Sequence, residues 1–140
     1  MEDIVKLYQE LLNKELNSLE RERKKHYEHL FDDLASRGMV RADIHIEQAL
    51  ELEMNFMRRF TDYAMSQFKK LMSDPSLEIN ELEKVYRFGI DLFFGKSLQR
   101  MFGIISNVRS SLKEEYAREH LEKIRLEALR ELESVKVKPR

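Results

Sequence analysis

His26-x-x-His29-x-x-x-Asp33 is the spacing in this chain that offers the most direct chemistry. On a helix the three side chains fall within about 60° of one another, and two imidazoles with a carboxylate are a donor set for a divalent metal. A single helix supplies too few ligands to close such a site. A metal-binding or hydrolytic protein centred on His26, His29 and Asp33 therefore needs a further donor from a neighbouring helix. A solvated polar edge beside an apolar stripe requires nothing more, and it is the expectation.

The same stretch, LERERKKHYEHL, also offers cations. Arg21, Lys24 and Lys25 project to the outer face of a helix, where they could meet phosphates of a nucleic acid. Glu20, Glu22 and Glu28 are interleaved with them, so pairs such as Glu20–Lys24 are expected to neutralise much of the charge. The chain as a whole has 25 basic and 26 acidic residues and no basic arm, so nucleic acid is not the favoured partner. Arg23 and His26 are different, because they project onto the apolar stripe between Leu19 and Leu30. In an antiparallel hairpin turning near residues 38–40 they lie opposite residues 52–55, where Glu53 interrupts the facing stripe. A polar layer of Arg23, His26 and Glu53 is expected there, fixing register more than adding stability.

Other chemistry is missing from the pattern. There is no cysteine, no glycine-rich phosphate loop, and no G-x-S-x-G, H-E-x-x-H or kinase motif. The residues three before the four histidines are Arg23, His26, Ala42 and Ala117, so the Glu-x-x-His pairs of di-iron bundles do not occur. No catalytic residue and no cofactor is expected.

The elements that must position these side chains are all helical. Only four glycines and two prolines punctuate 140 residues, of which 42% are apolar and 36% charged. Helix 1 is expected from about residue 3 to 37, with a stripe of Val5, Tyr8, Leu12, Leu16, Leu19, Leu30 and Leu34. Gly38 stops it as a left-handed C′ residue. Helix 2 follows from about 42 to 73, with Asp43 as its N-cap and Ile46, Leu50, Met57, Phe60, Ala64, Phe68 and Leu71 as its stripe. Joined by so short a turn, the two form a long antiparallel hairpin.

After Asp74-Pro75, Asn80-x-x-Glu83 reads as a capping box that opens a third helical region over about 80–134. Arg87 and Asp91 point one way in it, whereas Lys96 and Arg100 point nearly the other way. A break near 94–97, with Gly95 as the C′ residue, resolves that conflict; a helix buried between two neighbours is the alternative. Residues 135–140 read as a frayed tail. The fold class expected is all-α: the hairpin plus a broken third helix, in a three- or four-helix bundle.

Apolar residues cover more than one face over 85–108, adjacent Phe93 and Phe94 cannot serve one neighbour, and the stripe changes direction after Tyr116. Surplus apolar surface of this kind is commonly buried by self-association, so a homodimer through residues 85–132 is expected. Arg87, Asp91, Lys96 and Arg100 exclude a membrane span from the most apolar stretch. With no cysteine and no signal-like N-terminus, a cytoplasmic location is expected. The function these features suggest is a non-enzymatic assembly protein acting through helix–helix surfaces, on itself or on another protein.

Overall fold

Helix α1 (Glu2–Ser36) runs without a proline or glycine until Gly38, which takes φ 69°. The Gly38 N–H donates to the Ala35 carbonyl at 3.1 Å and the Met39 N–H to that of Leu34 at 2.8 Å, the paired bonds of a Schellman turn. The structure is a computed structural model that describes residues 2–74, 79–108 and 114–136. Helix α2 (Asp43–Leu71) begins after Ala42, which makes no side-chain cap. Asp43, expected as the cap, is instead the first helical residue, where its charge still favours the positive end of the helix dipole.

Helix α3 (Ile79–Asn107) is continuous through Phe93–Ser97, so the expected break at 94–97 is not there. The charges that suggested it are satisfied in two directions. Arg87 and Asp91 reach Glu133 and Arg125 of α4 (Glu114–Lys136), whereas Arg100 reaches Glu53 of α2 and Glu20 of α1. The turn at Asp74-Pro75 lies largely outside the described residues. Asn80 is already helical, and Glu83 pairs with Lys136 and Arg87 rather than with a cap. Val135 and Lys136 are not frayed: Val135 is buried, and Lys136 holds Glu83 at 2.8 Å. Residues 137–140 lie outside the described set.

The result is an all-α four-helix bundle with up-down-up-down order. In the hairpin, Tyr8 meets Ala64, Arg23 meets Glu53 and Tyr27 meets His45, so partners march in opposite directions. Helices α2 and α3 pack on each other, α1 lies against both, and α4 lies against both from the other side. Among the described residues α1 and α4 make no contact. Two three-helix triangles thus share the α2–α3 edge. That explains why apolar residues spread so widely around α3: it buries one side against α1 and α2 and another against α4.

The rotation of the stripe after Tyr116 is accordingly the turn into α4, whose Ala117, Leu121, Ile124, Ala128 and Leu132 are buried within the chain. Phe93 stacks on Phe60 with ring centroids 5.0 Å apart, while Phe94 lies under the guanidinium of Arg125. The surplus apolar surface that implied a second subunit over 85–132 is therefore largely taken up by α4. A buried tyrosine ties each triangle. The Tyr8 hydroxyl donates to the Ala64 carbonyl at 2.8 Å and that of Tyr86 to the Ala128 carbonyl at 2.9 Å. Burial pushes both phenols well above the ordinary tyrosine range. No helix among the described residues is long and apolar enough to cross a membrane.

Candidate functional site

The α1–α3 seam carries the chemistry, because three of its levels differ sharply. At the middle level α1 contributes Glu20 and Arg23, α2 contributes Glu53, and α3 contributes Ser97 and Arg100. Arg100 clasps the Glu53 carboxylate from both sides, donating from Nε at 2.9 Å and from Nη2 at 2.7 Å. Its Nη1 donates to the Glu20 carboxylate at 2.8 and 3.1 Å, and Nη2 also reaches the Ser97 hydroxyl at 3.3 Å. Arg23 adds a bond from Nη1 to Glu53 at 3.3 Å.

Only 2% of the Glu53 side chain is exposed, so its charge is tolerable only because two guanidiniums face it. Burial pulls Arg100 down, but the bonds and charges of Glu53 and Glu20 outweigh it and leave Arg100 above the ordinary arginine value. Arg23 goes the other way, lowered chiefly by burial and also by the charge of Arg100, against the pull of Glu53. Its Nε is buried without an acceptor, the Glu20 carboxylate standing 3.8 Å away. Both carboxylates are held by arginines, so neither is free to act as a general base.

Towards the C-terminal end of α1 the seam opens into a pocket of about 540 Å³. Arg23 and Arg100 form its floor beside the middle layer, Arg41 enters from the α1–α2 turn, and Tyr27, Phe31 and His45 form an aromatic wall. His45 is buried. Its Nδ1–H donates to the Val40 carbonyl at 2.7 Å, which leaves Nε2 to accept from the Tyr27 hydroxyl at 2.7 Å. Burial, the largest influence on Tyr27, raises its phenol above the usual value.

Towards the N-terminal end the seam closes to a socket of about 150 Å³ lined by Leu12, Leu16, Phe60, Val85, Gly89 and Leu92, with Gln9 and Asn13 as its polar members. Phe88 stands at its rim with 69% of its surface exposed, the most exposed of the large apolar side chains among the described residues.

Family models, curated proteins and solved structures all fail to match this chain. Geometry alone must carry its function.

The structure brings Arg23 and Glu53 together but leaves His26 out of the layer. His26 is 57% exposed, edge-on to the Phe56 ring and 4.0 Å from Glu22. Tyr27, four residues beyond Arg23, takes the next seam position instead. His26, His29 and Asp33 do not assemble as ligands either. Asp33 pairs with Arg37 at 3.4 Å, His29 is exposed, and among the described residues no three His, Asp or Glu side chains could hold an ion.

Arg21, Lys24 and Lys25 are exposed, as expected. The acids thought to neutralise them are turned elsewhere: Glu20 to Arg100, and Glu22 to Arg59 through two bonds at 3.0 and 3.1 Å. The hydrogen bond from Arg59 is the main reason that Glu22 lies below the usual carboxylate range.

Sequence reasoning missed Arg100, His45 and Phe88. The signal for Arg100 was present in its position opposite Arg87 and Asp91 on α3. His45 could have been found from the ridge His45, Ala49 and Glu53, which repeats every four residues along the buried edge of α2.

Proposed function

We propose that the chain is a non-enzymatic interaction module that self-associates through the N-terminal half of the α1–α3 seam. One observation carries this reading: Phe88 stands exposed beside a socket of its own ring's size. A cavity near 150 Å³ lined mainly by aliphatic and aromatic side chains, with Gln9 and Asn13 as its polar members, accommodates a benzene-sized group, about what a phenyl ring needs. Knob and socket share one face, which is the condition for an isologous two-fold contact in which each Phe88 enters the other copy's socket. Glu81 and Lys84, paired at 3.2 Å, border the same face as a polar rim.

Burying one phenylalanine contributes roughly 1.5–3 kcal/mol, and association itself costs several kcal/mol, so a weak, concentration-dependent dimer is expected. Light scattering over a concentration series should show mass rising towards the dimer for the parent protein and a constant monomer for Phe88→Ser. A parent that stays monomeric at millimolar concentration would remove the proposal.

A second reading rests on the outer face of α1. With Glu20 and Glu22 engaged inward, Arg21, Lys24 and Lys25 carry less opposing charge than their neighbours in sequence suggest. Binding of labelled RNA or DNA that weakens with salt and is lost in Lys24→Glu with Lys25→Glu would support a nucleic-acid role.

A further inference from the structure

The pocket at the other end of the seam is not needed for association through Phe88. Its volume of about 540 Å³ lies within the range of small-molecule sites, and its wall is apolar and aromatic apart from a few polar groups. We infer that it binds a small organic anion, one carboxylate carried on an apolar body, with the carboxylate on Arg41 and Arg23 and the body against Tyr27, Phe31, Ile104 and Val108.

Charge accounting sets the ligand class. Arg23 and Arg100 are matched by Glu20 and Glu53, and both ring nitrogens of His45 are already engaged, by the Val40 carbonyl and the Tyr27 hydroxyl. Arg41 is exposed and engages no carboxylate among the described residues, and of the described residues that line the pocket it is the one unopposed charge. A monoanion balances it, whereas a phosphate dianion would lack a second free cation among the described residues.

Arg23 is the complementary observation. Glu53 takes a bond from its Nη1, yet its Nε finds no acceptor, and both burial and the adjacent charge of Arg100 disfavour its charged form. An anion beside the Arg23 guanidinium offsets the repulsion from Arg100. The hydrocarbon walls supply the rest: Phe31 lies edge-on to His45 at 5.9 Å, and Tyr27 stacks on His45 at 5.8 Å, so a rigid apolar surface is already in place.

The test is an amide NMR titration of the full chain with benzoate and with octanoate, each against its neutral carboxamide. Saturable shifts at Arg41, His45 and Ile104 are expected for at least one acid, with the matching amide and the Arg41→Ala variant each weaker by about tenfold or more. Benzoate and octanoate distinguish a planar from a chain-like body. Arg41 holds no ion pair among the described residues, so its substitution should leave the fold intact, and an unchanged thermal midpoint checks this. Absence of saturable shifts with both acids overturns the inference. So does equal binding of the amides, or undiminished binding to Arg41→Ala.

Discussion

Gly89 and Gly103 lie on nearly the same face of α3, yet they meet opposite surroundings. A Cβ at Gly89 would stand 3.2 Å from Leu12 and 3.4 Å from Phe60, whereas a Cβ at Gly103 would meet nothing within 4 Å. Between them sits the charged layer of Glu20, Arg23, Glu53 and Arg100. Below that layer α1 and α3 are drawn together and leave a socket of one ring's size. Above it they leave a pocket several times larger. One pair of helices thus presents a closed apolar end and an open cationic end. Each end has a glycine on that face of α3, so the difference lies in what stands opposite: Leu12 and Phe60 close on Gly89, whereas nothing closes on Gly103.

The most severe way to break this arrangement is Glu53→Ala. It strands Arg23 and Arg100 without their shared carboxylate, and urea unfolding should show a loss of about 3–5 kcal/mol. Replacing Glu20, Arg23, Glu53 and Arg100 together by Gln, Met, Leu and Met should leave stability close to the parent's, since the desolvation cost disappears along with the attraction. Broadened amide resonances in α1 and α2 of that variant are the expected sign that the layer fixes register; a sharp, parent-like spectrum would deny it that role.

The two glycines give a comparison with opposite signs. Gly89→Ala forces Leu12 and Phe60 to yield and should cost about 1–3 kcal/mol, while Gly103→Ala should add about 0.5–1 kcal/mol by removing helix-interior backbone entropy. Thermal unfolding of the pair checks this, and a common sign for both would contradict the contrast between the two ends.

The smallest effect belongs to the α3–α4 side, away from the seam. A hydrogen bond from Lys136, opposed by burial and reinforced by Arg87, holds Glu83 below the usual carboxylate range. Its folded value is depressed, so the stability it contributes is present above the ordinary value near 4.3 and is lost as pH falls through the lower one. Glu83→Gln should flatten the acid limb of a stability–pH curve by less than about 1 kcal/mol.

Much of the hairpin was legible because its signals are local. The stripes of α1 and α2, the left-handed stop at Gly38 and the apposition of Arg23 with Glu53 all follow from helical periodicity and one short turn. The third partner of Glu53 was hidden because Arg100 is far away in sequence, and two charged faces on one helix look like a break unless each has its own neighbour. His26 misled for the opposite reason: projection places it near the stripe, but the seam has width for Arg23 and Tyr27 and turns His26 out against Phe56. Phe88 was unreadable as an exposed ring, because only the arrival of α4 on the other side of α3 decides which apolar residues remain uncovered.

The association face can be tested most directly in this cysteine-free chain by one spin label. Lys84→Cys places it at the rim of the Phe88 face, and Lys24→Cys places a control on the outer side of α1. Pulsed dipolar spectroscopy at high protein concentration should give a short, narrow intermolecular distance for the label at 84, abolished by Phe88→Ser, and none for the label at 24. Absence of intermolecular coupling at 84, or coupling that survives Phe88→Ser, would contradict the account.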